Sequence, residues 1–314
     1  MTAVAAGMTA AVAGMAAVVA RMVAAVAGTA TAAGEITAGG RGFPGKRIEV
    51  TVDEGESSRG ARTETAARPV DGAPAPPRPV IRRGWRYTDL QFEGGVSQSR
   101  MRTFRPGQLA VDYTRTMMAS LLWQPRPALV GMVGLGGGSQ AKFCHRHLPH
   151  TRMEVAEINP QVIALRRTFR VPDDDARLRV HLADGARFVR DWAGRFEILL
   201  VDGYDQTGIP AALSSQEFYD DCRDALVPGG VLASNLYSTD AAGHMDRLQR
   251  AFGRERVWMV EEPRQSNRVA FAWTGVPFGG GAIDLPALTA AMAPGAVRQL
   301  SDVFERVAAA WSAR

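Results

Sequence analysis

Apolar runs and segments with helical spacing alternate regularly in the second half of the chain. A continuous apolar run is typical of a strand buried on both faces, and alternation with helices indicates a parallel sheet between two helical layers. The sequence therefore predicts an α/β, Rossmann-like, mostly parallel sheet. Its strands are predicted at residues 128–133, 152–158, 178–182, 196–201 and 231–236.

Capping residues mark the helices between these strands. Asn159 followed by Pro160 predicts a helix start, and the segment from Ser214 to Glu217 reads as a capping box. Two further strand-like runs follow one another without a helix and predict a closing β-hairpin. The helices are predicted at residues 140–148, 160–169, 186–192, 214–226 with its capping box, and 241–252, and the hairpin at 256–262 and 268–274.

The flanking segments have a different composition. The first 78 residues are an Ala-, Val- and Gly-rich leader and a Pro/Gly linker, and we expect them to be disordered and dispensable because they cannot bury a core. Two strand-like runs around a Gly94-Gly95 turn, then a helix over 109–123, open the ordered part. The predicted organisation is leader and linker 1–78, small N-terminal β region 79–114, catalytic domain 115–275, and a tail with one helix, 276–314.

Composition excludes several classes of protein. Two cysteines, Cys144 and Cys222, give no disulfide framework, so we expect a reducing, cytoplasmic environment. The net charge of +5 comes from arginine in a chain with only two lysines, and no basic run with interleaved aromatics occurs, so no nucleic-acid partner is expected. The leader contains Arg21 and lacks a leucine-rich stretch, so no membrane span is expected.

A glycine-rich turn follows the first central strand. Residues 133–139 read V-G-L-G-G-G-S, so the candidate ligand-binding glycines are Gly134, Gly136, Gly137 and Gly138. Glycine permits a tight turn and close approach of backbone to a ligand, and the following helix start favours a negatively charged group.

Acidic residues follow the next three strands. Glu157 lies about 20 residues after the turn, the spacing at which a carboxylate can hold ribose hydroxyls. Asp184, before Gly185, is placed to meet an adenine edge, and Asp202 and Asp205 follow the fourth strand. Because the carboxyl ends of parallel strands share one edge, this set predicts a nucleoside site.

Two cofactors compete for this site, a dinucleotide and S-adenosylmethionine. The dinucleotide fingerprint G-x-G-x-x-G is not met, because Ser139 follows Gly138. The Asp184-Gly185 pair and the closing hairpin favour an adenosylmethionine-type sheet.

Four motifs in this order resemble the spermidine synthases, the polyamine aminopropyltransferases with a methyltransferase-type sheet. They are V-G-L-G-G-G-S (133–139), V-A-E-I-N-P (155–160), A-D-G-A-R-F (183–188) and V-D-G-Y-D-Q-T-G-I-P-A (201–211). The resemblance implies that Asp202 is the base toward the attacking amine and that Asp205 helps to bind that amine. It also implies ribose binding by Glu157, adenine binding by Asp184, and a polyamine contact by Tyr113; Tyr204 is a candidate for the pocket wall.

The sequence departs from the family at the glycine loop. Gly137 stands where the family carries an aspartate for the amine of decarboxylated S-adenosylmethionine. Either the decarboxylated or the intact donor is therefore expected. Three functions stay open: an aminopropyltransferase, an adenosylmethionine-dependent methyltransferase, and a non-catalytic nucleoside- or polyamine-binding homologue.

The remaining expectations concern partners and metals. The expected partner is a small amine or polyamine, and the resemblance implies a homodimer. His145, His147 and His150 do not share a helix face and form a poor ligand set, so no metal is expected.

Overall fold

The computed structural model describes residues 77–92, 97–237, 240–263, 267–275 and 283–314. Outside these ranges lie the predicted leader, all but the last two residues of the predicted linker, and the Gly94-Gly95 turn. Residues 276–282, at the start of the predicted tail, also lie outside them.

A small antiparallel sheet opens the described chain. Its strands, in the order β1-β2-β3, are Pro79–Arg83, Tyr87–Phe92 and Ser97–Arg102. Leu90, Phe92 and Met101 on its inner face belong to the main core. The sequence predicted two strands and missed β1, because a short run with a proline and two arginines carries little β signal without its partner strand.

The large sheet has seven strands in the order β6-β5-β4-β7-β8-β10-β9. The first five are parallel, and β10 runs antiparallel to both β8 and β9. The predicted mostly parallel sheet with a closing hairpin is confirmed. The strands are β4 (Leu129–Val133), β5 (Arg152–Glu157), β6 (Leu178–Leu182), β7 (Phe196–Val201), β8 (Leu226–Asn235), β9 (Val257–Glu261) and β10 (Arg268–Trp273).

Helices cover both faces of this sheet, in line with the apolar runs of its strands. The helices are α1 (Asp112–Met117), α2 (Ser139–His147), α3 (Pro160–Ala164), α4 (Gly185–Asp191), α5 (Gln216–Ala225), α6 (Ala241–Phe252), α7 (Leu285–Ala290) and α8 (Pro294–Ser312). Short 3₁₀ helices occupy Met118–Leu122, Ala211–Leu213 and Arg254–Arg256.

Several predicted boundaries are wrong in detail. The helix predicted over 109–123 is α1 followed by a 3₁₀ turn, α3 ends at Ala164 rather than near Phe169, and the tail holds two helices. Ser215, not Ser214, is the N-cap of α5, so Glu217 is not at the capping-box position. The Pro-Gly-Gly sequence at 228–230 lies inside β8, whose register against β7 shifts there.

Candidate active site

The glycine loop lies at the carboxyl end of β4, between β5 and β7. The Gly134 amide donates to Ala156 O at 2.8 Å, and the Asp202 amide donates to Val133 O at 2.9 Å. Gly134, Gly136 and Gly138 have φ values of 89°, 50° and 63°, which an L side chain rarely adopts. A Cβ on Gly134 would also lie 2.3 Å from the backbone oxygen of Asp202. The loop therefore requires glycine here for its own geometry.

Gly137 differs from its neighbours, because its φ is not positive. A Cβ at this position would lie 2.6 Å from Ser99 Oγ of β3 and 3.1 Å from a Phe169 ring carbon. The small N-terminal sheet thus covers the glycine loop, and a serine hydroxyl fills the space beside Gly137. Sequence reasoning missed Ser99, since nothing in the sequence brings β3 to this loop.

Glu157 is buried at the end of β5 and holds the loop. Its Oε2 accepts from the amides of Leu135 at 2.9 Å and Gly136 at 3.4 Å, and its Oε1 accepts from the Asn159 amide at 2.9 Å. A carboxylate offers about four acceptor sites, so Oε1 keeps one for an incoming hydroxyl.

Asp184 caps α4 by accepting from the Arg187 amide at 2.9 Å and stays exposed. Gly185 is buried, and a Cβ there would lie 2.5 Å from Val133, so packing explains this glycine. Ile158 and Leu182 stand at the ends of β5 and β6 with exposed fractions of 60% and 59%. Such exposed aliphatic side chains beside two carboxylates suit the flat face of a base.

Asp202, at the end of β7, is held from both sides. Tyr113 of α1 donates its hydroxyl to Oδ2 at 3.1 Å, and Asn235 at the end of β8 donates its side-chain amide to Oδ1 at 2.9 Å. Burial raises the pKa of Asp202, and the two hydrogen bonds oppose that rise. A carboxylate with a raised pKa is a better proton acceptor, as a general base requires.

A second layer fixes Asn235. Its backbone oxygen accepts from the Tyr204 hydroxyl at 2.7 Å, and its side-chain oxygen accepts from the side-chain amide of Asn267 at 3.0 Å. The Tyr237 amide donates to the Tyr204 hydroxyl at 2.7 Å. Through these two bonds, the Tyr204 hydroxyl links the backbone of Asn235 to that of Tyr237. Asn235 was missed from the sequence, where its place at a strand end was visible but the adjacency of β8 and β7 was not.

Asp205 is engaged in its own loop. Its Oδ1 accepts from the Thr207 amide and hydroxyl, both at 2.7 Å, and from the Gly208 amide at 3.0 Å. This carboxylate orders the segment after β7 through Oδ1 alone.

The histidines do not form a metal site in the described ranges, where no group of three potential ligands occurs. His145 pairs with Asp175 at 2.8 Å, and the His147 ring packs on Phe143. Within the same ranges, no helix is both long and apolar enough to span a membrane.

Residues 112–244 match the family model described as the spermine/spermidine synthase domain. The polyamine aminopropyltransferase of Chromobacterium violaceum is 40% identical over 152 residues, which cover 48% of this chain and 58% of that protein. This chain therefore spans little more than half the length of that relative.

Two solved structures share the fold. A spermidine synthase in complex with the transition-state analogue AdoDATO aligns with a TM-score of 0.53 at 20% identity, over 73% of this chain and 78% of that one. Human methyltransferase-like protein 13 in complex with SAH aligns with a TM-score of 0.50 at 22% identity, over 63% of this chain and 93% of that one. The predicted methyltransferase-type fold and the resemblance to the spermidine synthases are confirmed.

Proposed function

We propose that this protein transfers an aminopropyl group from decarboxylated S-adenosylmethionine to an amine such as putrescine, supported by the match of residues 112–244 to the spermine/spermidine synthase domain model. The observation that carries the proposal is Asp202, a carboxylate of raised pKa held between Tyr113 and Asn235 at the end of β7. A nearby carboxylate is what an attacking ammonium needs in order to lose its proton.

The reaction follows from this placement. Asp202 takes a proton from the amine, and the nitrogen lone pair attacks the methylene carbon beside the sulfonium. The new C–N bond forms as the C–S bond breaks, and the electron pair returns to sulfur. Methylthioadenosine leaves uncharged. Asp205 and Tyr113 would bind the amine, and carboxylates around the pocket would attract a polyamine cation.

The donor would lie over the glycine loop. Oε1 of Glu157 has room to accept a ribose hydroxyl, Ile158 and Leu182 would contact the base, and Asp184 would meet its polar edge. The positive-φ glycines would let the chain beside the sulfonium approach the loop backbone.

Gly137 favours a second candidate, a methyltransferase that uses intact S-adenosylmethionine. The loop offers no acid at this position, and Ser99 Oγ is the polar atom beside it. A hydroxyl does not repel the donor's carboxylate, whereas an aspartate would. The fold is common to both classes and does not distinguish them.

The test is the nucleoside product. The protein is incubated with putrescine and each donor in turn, and the nucleoside is identified by mass spectrometry. Methylthioadenosine is expected, and adenosylhomocysteine with a methylated acceptor would establish the alternative. If the protein binds methylthioadenosine but forms neither product, the result would support the non-catalytic homologue. Asp202→Asn is the matched control for enzyme-dependent product.

A further inference from the structure

The charge of this protein is concentrated in one small element. Residues 77–106 hold seven arginines and only two acids, whereas the other 284 residues hold 30 basic and 30 acidic side chains. The entire net charge of +5 therefore belongs to the segment that forms the three-stranded sheet. A coding bias toward arginine would spread the excess along the chain, so the concentration needs another explanation.

The register places three of these arginines, Arg82, Arg100 and Arg102, on the outer face of that sheet. Leu90 and Met101 point into the core, so their strand neighbours point away from it. Arg82 lies opposite Asp89, Asp89 lies opposite Arg100, and Tyr87 lies opposite Arg102. Only Arg100 of these arginines forms an ion pair within the described ranges, to Asp89 at 2.7 Å. The sequence shows only the part of this set that lies at residues 82–87, R-R-G-W-R-Y, and strand pairing adds Arg100 and Arg102 to it.

Aromatic rings are interleaved with the guanidinium groups. Three guanidinium carbons, those of Arg100, Arg102 and Arg86, lie 4.9, 5.6 and 6.0 Å from the centre of the Tyr87 ring. Trp85 and Phe104 have exposed fractions of 76% and 79%. Exposed rings of this size on a basic surface are unusual unless they contact a partner.

Trp85 and Phe104 stand at one end of the sheet. Thr103, which precedes Phe104, donates its amide to Arg86 O at 3.0 Å and its hydroxyl to Gly84 O at 3.2 Å. The two turns that carry the rings are thus bonded together. Rings at one end and cations along the face form a continuous surface, which we call the arginine–aromatic face and define as Arg82, Trp85, Arg86, Tyr87, Arg100, Arg102 and Phe104.

We propose that the arginine–aromatic face binds single-stranded nucleic acid. Guanidinium groups along strands can follow a phosphate chain, and exposed rings can stack on bases, which every sequence offers. A membrane that buried the Trp85 ring would draw in Arg86, whose guanidinium carbon lies 5.3 Å from the centre of that ring, and a buried charge is costly, so the arrangement favours the nucleic acid. The proposal does not depend on the proposed enzymatic function and replaces the expectation of no nucleic-acid partner.

The test measures fluorescence anisotropy of labelled 12-mers with the full chain at 50 and 200 mM salt. The probes are dT12, the ribonucleotide U12, and an abasic 12-mer that has the same phosphates without bases. Binding to dT12 and U12 is expected to be clearly tighter than to the abasic strand. Trp85→Ala and Phe104→Ala are each expected to weaken dT12 binding by about 5- to 100-fold, while Trp85→Phe, which keeps an aromatic ring, retains most of it.

The arginine variants test whether the guanidinium groups contact the phosphates. Arg82→Ala and Arg102→Ala are expected to weaken all three probes, and each to lower the slope of log K against log salt by about 0.7. Arg187→Ala, an exposed arginine on α4, is the matched control and should bind like wild type. Equal affinity for dT12 and the abasic strand, no binding at 50 mM salt, or binding only to phosphatidylserine vesicles would overturn the proposal. So would ring variants that dissociate a dimer in sedimentation while dT12 binding stays unchanged.

Discussion

The side-chain amide of Asn235 donates to Oδ1 of Asp202 at 2.9 Å and joins the ends of two adjacent strands, β8 and β7. The Tyr113 hydroxyl bonds the other carboxylate oxygen. Asp202 is therefore fixed in orientation, and its pKa reflects a balance between burial, which raises it, and these two bonds, which lower it.

Removing Asn235 should upset this balance. In Asn235→Ala the pKa of Asp202 should rise further, because the hydrogen bond from Asn235, which lowers this pKa against the effect of burial, is lost. The base form then appears only at higher pH, so the acid limb of the kcat/KM profile should move upward and kcat at neutral pH should fall about tenfold. Asn267→Ala, which removes only the group that orients Asn235, should shift the limb less. A profile that does not move in either variant would contradict this role.

Asp202→Asn should separate binding from turnover. An amide cannot take the amine's proton, so kcat should fall by about 10²- to 10⁴-fold. Donor affinity should stay within a few-fold, since the Tyr113 hydroxyl can rotate to accept from the new amide nitrogen. Calorimetry with methylthioadenosine and a rate assay measure the two effects. Turnover at the wild-type rate would show that another group is the base.

Glu157 should affect both stability and nucleoside binding. Glu157→Ala leaves the amides of Leu135 and Asn159 without their acceptor, which costs about 1–3 kcal/mol for each buried group. Methylthioadenosine affinity should fall by roughly 10- to 100-fold. Glu157→Gln keeps one oxygen and should be intermediate in both thermal unfolding and calorimetry. Equal affinities for Glu157→Ala and wild type would contradict the ribose assignment.

The loop glycines should differ in tolerance. Gly134→Ala should abolish folding of the loop, because its φ is 89° and the Cβ meets backbone. Gly137→Ala should cost less once Ser99 is also changed to glycine, because the Ser99 hydroxyl is the nearest obstacle and only the Phe169 ring carbon at 3.1 Å then remains close. Melting temperatures of Gly134→Ala, Gly137→Ala and the Ser99→Gly/Gly137→Ala pair check this. A pair no more stable than Gly137→Ala alone would contradict it.

Residue 137 should also determine which of the two donors binds more tightly. In the Ser99→Gly background, Gly137→Asp should weaken adenosylmethionine binding and spare or help the decarboxylated donor. Like charges about 4 Å apart repel by ~4 kcal/mol at an effective dielectric constant of 20. Gly137→Asn is the matched control of similar size. If Asp and Asn weaken both donors equally, charge at residue 137 does not discriminate between them.

Lys142 should make stability depend on pH. It is buried, its Nζ donates to Phe169 O at 2.7 Å, and burial lowers its pKa to about 7 from 10.5. Between pH 7 and 10.5 Lys142 is protonated in the unfolded chain and neutral in the folded one. The free energy of unfolding should therefore rise with pH across this range and fall as the pH drops toward 7. Lys142→Met lacks this contribution. Relative to wild type, the variant should lose ~1.4 kcal/mol per pH unit as pH rises above 7 in denaturant unfolding. A pH-independent difference would contradict it.

The sequence by itself determined the α/β fold, the order of the strands and helices of the large sheet, and the edge at which the candidate site lies. Apolar runs such as Phe196–Val201 are long enough to require burial on both faces, and residues directly after parallel strands must share an edge. Gly134, Glu157 and Asp202 could be named as candidates from the sequence because each directly follows or ends a predicted strand.

Only the tertiary structure decided which groups meet across elements. Asn235 reaches Asp202 because β8 lies beside β7, and Ser99 reaches Gly137 because the small sheet packs over the loop. The arginine–aromatic face exists because antiparallel pairing aligns Arg82, Asp89 and Arg100 from three strands. Such contacts depend on strand pairing and packing between segments distant in the chain, and a local hydrophobic pattern carries no information about either.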